Sequence, residues 1–145
     1  LTGTTSSKSC VRAADINGDG SLDLFVGSRV IPGRYPETDA SHILINDGKG
    51  KFTHQTASLF PDLLKTGMVS DAEWVDLDRD GQVELILVGE FMPITVLGLQ
   101  KRKWTDISNK YFNNRPTGLW NTLLVEDINA DGRLDIIAGN MGLNT

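Results

Sequence analysis

Asp76-Leu77-Asp78-Arg79-Asp80-Gly81-Gln82-Val83-Glu84 is the most informative stretch of this chain, because it occurs three times in variant form. Upstream stands Asp15-Ile16-Asn17-Gly18-Asp19-Gly20-Ser21-Leu22-Asp23, and downstream Asp127-Ile128-Asn129-Ala130-Asp131-Gly132-Arg133-Leu134-Asp135. All three read D-x-[DN]-x-D-G-x-x-[DE], and they begin 61 and then 51 residues apart. A motif in triplicate at this spacing is an internal repeat, and it organises everything else in the sequence.

Oxygen donors at alternate positions of a short loop, with Gly at the sixth, describe a site for a hard cation, most naturally Ca²⁺. The candidate ligands are Asp15, Asn17, Asp19, Ser21 and Asp23 in the first loop, and Asp76, Asp78, Asp80, Gln82 and Glu84 in the second. In the third they are Asp127, Asn129, Asp131, Arg133 and Asp135. At the seventh position a backbone carbonyl can serve, which is why Ser21, Gln82 and Arg133 are all tolerated there. Up to three Ca²⁺ ions are expected. The three loops hold ten of the 19 acidic residues, so the formal charge of −5 is concentrated where cations would neutralise it. Turn propensity alone would explain the Asn, Asp and Gly, but not an acid at both ends of every copy.

The flanks separate this pattern from an EF-hand. Position 12 of an EF-hand loop is a carboxylate, whereas the equivalent residues here are Val26, Leu87 and Ala138. Each loop is followed by a short aliphatic run that ends near Gly27, Gly89 or Gly139, as buried strands do. Short mixed runs precede each loop, so each loop joins two strands. Further hairpins follow, with His42-Ile43-Leu44-Ile45-Asn46 and Lys51-Phe52-Thr53-His54 around Asp47-Gly48-Lys49-Gly50. The second is Ile94-Thr95-Val96-Leu97 and Trp104-Thr105-Asp106-Ile107 around residues 100–103. The fold class is therefore all-β, with β-propeller blades of four antiparallel strands. About two and a half blades are expected, in units spanning residues 9–56, 69–109 and 120–145, the last incomplete.

The loops, the apolar strands after them and Asn46-Asp47-Gly48-Lys49-Gly50-Lys51-Phe52 resemble FG-GAP/VCBS-type repeats, the calcium-binding blades also found in integrin α-subunit propellers. The second copy departs by placing Val88 where the others have Gly, and the Phe-Gly…Gly-Ala-Pro strand signature is absent. The resemblance implies an extracellular, periplasmic or cell-surface location. It also implies adhesion, or recognition of a protein or carbohydrate, by a calcium-stabilised module. The alternative it implies is a non-catalytic propeller scaffold within a larger secreted enzyme, such as a polysaccharide-degrading one. Because a closed propeller needs at least about four blades, the remaining blades are expected from the same chain or a partner chain. The absence of an initiator Met and of a signal-like stretch fits a piece of something longer or processed.

The remaining features are mostly exclusions. An acidic chain with no basic run offers nucleic acid no footprint, and no apolar window is long enough for membrane insertion. Cys10 is the single cysteine, which excludes an intrachain disulfide; it is expected to be a buried, inert thiol. No nucleophile elbow, P-loop or zinc-protease motif occurs, so no enzymatic activity and no catalytic residue are assigned. A hairpin symmetric about Gly48-Lys49 would point His42 and His54 to opposite faces. Trp74, Trp104 and Trp120 are read as packing residues. Partner binding is expected at the end opposite the loops, where residues 28–41, 56–69, 90–93, 110–119 and those from 139 onward would gather, carrying Arg29, Phe91, Tyr111, Asn113 and Asn114, with Arg34, Tyr35 and Arg115 as candidate contacts.

Overall fold

The computed structural model describes residues 6–142. The first unit is a four-stranded antiparallel meander of β1 (Lys8–Ala14), β2 (Asp23–Ser28), β3 (His42–Asn46) and β4 (Phe52–His54). The second repeats it with β5 (Met68–Val75), β6 (Glu84–Pro93), β7 (Thr95–Gln100) and β8 (Lys103–Asp106). The third begins with β9 (Thr117–Glu126) and β10 (Asp135–Asn140), which pair with each other. Each acidic nonapeptide joins the first and second strands of its unit, as the repeat pattern requires.

The units stack face to face. Along β6 the side chains alternate between two cores, which explains an apolar run without polar interruption. Leu85 and Leu87 pack with Phe25, Ile43, Val69 and Trp104 on the side of the first unit. Ile86 and Val88 pack with Val96, Trp120, Leu123 and Val125 on the side of the third. The tryptophans are packing residues: Trp104 stacks on Phe60 with centroids 4.8 Å apart and meets Trp74 edge-on at 5.3 Å. Trp120 donates its indole N–H to the Met92 carbonyl at 3.2 Å.

The first strands of the three units, β1, β5 and β9, lie side by side. Asp71 fastens them, since its carboxylate accepts from the Arg12 guanidinium on β1 and from the Leu123 N–H on β9 at 3.0 Å. Each of these strands carries a bulge: Ser9 and Cys10 in β1, Ser70 in β5 and Asn121 in β9. Opposite the bulges stand Gly27, Gly89 and Gly139. A Cβ on Gly89 would lie 2.0 Å from the Met68 carbonyl oxygen, so the close approach demands glycine there. Cys10 is only partly buried, and burial pushes its thiol up from the ordinary value.

Three expectations need correction. The second and third units are not separate sheets, because β6 bends after Glu90 and its end pairs with the start of β9 (Met92 with Gly118, Pro93 with Thr117). Within residues 56–69, a short helix at Thr56–Leu59 and a 3₁₀ turn at Pro61–Lys65 bury Phe60 and Leu63 completely. Residues 110–119 do not gather wholly at the far end, since Lys110 donates to Asp78 in the second loop. Finally, His42 and His54 share a face. The hairpin pairs Leu44 with His54 and Asn46 with Phe52, leaving five loop residues. Asn46 Oδ1 accepts from Gly48 and Gly50, and Asp47 Oδ1 accepts from Lys49 and Lys51, which sets that longer turn. A register change of one residue reverses every side chain.

Candidate functional site

The three acidic loops close in one way. The first-position Asp (15, 76, 127) accepts the N–H of the fifth and sixth residues at 2.7–3.1 Å. The fifth-position Asp (19, 80, 131) accepts the N–H of Ser21, Gln82 and Arg133, each at 2.8 Å. The ninth-position acid reaches back to the N–H of the second residue: Asp23 to Ile16 at 3.3 Å, Glu84 to Leu77 at 2.9 Å, Asp135 to Ile128 at 3.2 Å. Left-handed backbone recurs at the sixth position (Gly20, Gly81, Gly132) and also at the fourth, where φ is 76° at Gly18, 62° at Arg79 and 60° at Ala130. The fourth-position conformation was not legible, because only the first copy marks it with glycine.

The second loop brings most charge together. One ligand oxygen from each of Asp76, Asp78 and Glu84 lies within 4.8 Å of the others, the one such group among the described residues. Glu84 is 5% exposed and Asp23 is 1% exposed. Burial pushes both carboxyls above their ordinary values, and among the described residues no ion pair offsets either. Buried carboxylates whose only partners are backbone N–H groups suit a cation, so the donor set fits Ca²⁺. Asp15, Asn17, Asp19 and Asp23 would hold it in the first loop, Asp76, Asp78, Asp80 and Glu84 in the second, and Asp127, Asn129, Asp131 and Asp135 in the third. At the seventh position of the third loop, Arg133 donates to Asp131 at 2.9 Å. Hydrogen bonds from Lys110, Asn17 and Arg133 hold Asp78, Asp19 and Asp131, respectively, below the usual carboxylate range.

A model of the FG-GAP-like repeat matches residues 15–87 and 76–138. The chain belongs to the FG-GAP-like repeat family. Both matches start at the first Asp of a loop and run into the strand after the next, so each FG-GAP-like repeat spans from one acidic loop to its successor. No curated protein matches the sequence.

Two clefts flank these FG-GAP-like repeats. One of about 510 Å³ lies between the second and third loops, lined by Arg79, Tyr111, Phe112, Arg133 and Ile136. The other, of about 410 Å³, lies at the opposite end between the first two units, lined by Tyr35, Pro36, Thr38, Met68, Glu90 and Phe91. Of the three contacts expected from sequence, Tyr35 is in this second cleft and is 63% exposed. Arg34 is paired with Glu37 at 2.5 Å. Arg115 is elsewhere, paired with Asp106 at 2.9 Å beside Asp62 and Lys65. Phe91 was not among those three contacts. It is 58% exposed and has φ 56°, which turns an aromatic ring outward at a strained backbone position. The sequence gives no signal for its backbone conformation, since the bend in β6 depends on β9. Among the described residues no helix is long and apolar enough to cross a membrane.

Proposed function

We propose that this chain is part of a calcium-stabilised β-propeller binding module that recognises a protein or carbohydrate in an extracellular, periplasmic or cell-surface setting. The observation that carries the calcium reading is the convergence of Asp76, Asp78 and the buried Glu84 at the turn between β5 and β6. Neutralising that charge favours the folded state, because the ion binds the closed loop and not the unfolded chain. Sites in extracellular modules typically bind Ca²⁺ at about 10⁻⁴–10⁻³ M, which suits calcium-rich surroundings. Remaining blades, from this chain or a partner, would cover the third unit, where Leu124 and Ile137 are exposed.

Recognition is proposed at the groove between Tyr35 and Phe91, where two exposed aromatic rings flank Thr38 and Glu90. Flat apolar rings beside polar groups suit sugar faces and protein side chains alike. The role proposed for the module is binding.

Calorimetric titration of the chelator-treated protein with Ca²⁺ tests the first part. Binding with a melting temperature raised by the ion is expected; no heat and an unmoved melting temperature would overturn it. A glycan array and a protein pull-down with wild type and Tyr35→Ala/Phe91→Ala test the second, and ligand retention by the double variant would exclude this groove.

A further inference from the structure

The register that places His42 and His54 on one face also joins them in a chain of hydrogen bonds. His42 Nδ1 and His54 Nε2 are 2.7 Å apart, with the rings edge-on and their centroids at 4.8 Å. On the other side of His42, Nε2 lies 3.1 Å from Lys8 Nζ. That ammonium also donates to Ser6 Oγ at 2.7 Å and to Ser28 Oγ at 2.6 Å.

Directionality follows from valence. An ammonium has protons and no lone pair, so His42 Nε2 accepts from it. His42 is then neutral with its proton on Nδ1, and it donates to His54 Nε2. His54 must carry its own proton on Nδ1. The charge on Lys8 thus fixes the tautomer of two successive rings.

We propose that Lys8, His42 and His54 form an acid-sensitive latch that holds the outer strand of the first unit, β4, and releases it when either imidazole takes up a proton. A proton on His54 Nε2 would face the His42 Nδ1–H, and one on His42 Nε2 would face the Lys8 ammonium. Either event sets two donors against each other and places an imidazolium among cations. The groups facing His42 are Lys8 from β1, His54 from β4 and Asp39 from the segment before β3. Asp39 is the one carboxylate among them, and it is engaged by Ser6 at 2.7 Å and lies 3.7 Å from Lys8.

Burial, followed by the charges of Lys8 and His54, pushes His42 below the ordinary histidine value. The sign is that of a base held neutral by folding. Its contribution is complete above the unfolded-state value of about 6.5 and is lost as pH falls through the lower folded value. β4 is vulnerable to this loss, since it has three residues, all exposed, and pairs only with β3 in its sheet.

Hydrogen exchange, corrected for intrinsic rates and run in saturating Ca²⁺, reads the latch at about pH 7.5 and about pH 5, on either side of histidine titration. Wild type should lose about fivefold protection in the β3–β4 ladder at the lower pH, the worth of one hydrogen bond, while the β5–β6 ladder keeps its protection. His54→Gln, which retains an acceptor for His42 but leaves that ring facing Lys8, should lessen the pH dependence, and His42→Gln/His54→Gln should remove it. A wild-type ladder equally protected at both pH values, or variants that lose as much as wild type, would overturn the proposal.

Discussion

Glu84→Gln removes one charge from a side chain that is 5% exposed while keeping its volume and an oxygen for the Leu77 N–H, 2.9 Å away. In chelator, two effects oppose each other. The neutral amide is a weaker acceptor than the carboxylate, but the cost of holding an ionised group out of water without a counter-ion disappears. The variant should therefore be as stable as wild type in chelator, or more stable. In about 2 mM Ca²⁺ the order reverses. A site with a dissociation constant of about 10⁻⁴ M contributes about 2 kcal/mol at that concentration, and the variant forfeits most of it. For a chain of this size that is about 4–8 °C in melting temperature. Thermal unfolding of both proteins, in chelator and in Ca²⁺, gives four midpoints. A deficit of equal size in both buffers would refute the reasoning, since Glu84 would then act only as a hydrogen-bond acceptor.

Two backbone predictions accompany it. Ala130→Gly should raise stability by about 0.5–1 kcal/mol, because φ is 60° there and the left-handed penalty exceeds glycine's entropic cost; an unchanged or lower denaturant midpoint would contradict this. Gly89→Ala should destabilise by more than about 3 kcal/mol, as the added Cβ would meet the Met68 carbonyl oxygen at 2.0 Å and its carbon at 2.8 Å, atoms that no rotamer change can move; a near-native unfolding midpoint would show that the bulge in β5 can relax.

The sequence exposed what is repeated and hid what depends on contacts between units. The acidic loops, the strands after them and the glycines at their ends are periodic, so each copy supports the reading of the others. Even there the cause of the glycines lay in the structure: each faces a bulge in the preceding strand, at Ser9 and Cys10, at Ser70 or at Asn121. The His42–His54 face was misread because Asn46 and Asp47 lengthen the turn by bonding its backbone, which shifts parity by one. Asp71 carried no motif, yet it bonds to groups on both neighbouring first strands. The bend at Phe91 and the burial of Phe60 were invisible for a related reason. Each residue is placed by a segment distant in sequence rather than by a local pattern.

Set side by side, these features divide the molecule into a fixed part and a part that can vary. The acidic loops fasten the first strand of every unit to the second at one end, and the bulge–glycine contacts hold the same pair at the other. Asp71 then ties the three first strands together. Nothing in that frame depends on the identity of Tyr35, Pro36 or Phe91, which sit on the connectors and the bend beyond it. The outer strand β4 is the opposite case, three exposed residues whose attachment rests on a short ladder and a chain of proton-sensitive bonds. A fold built this way can exchange the residues in its interunit groove without disturbing the acidic turns, which lie at the other end of the strands, whereas its outer hairpin touches the first of those turns, where the Asn46 N–H donates to Asp23 at 2.8 Å.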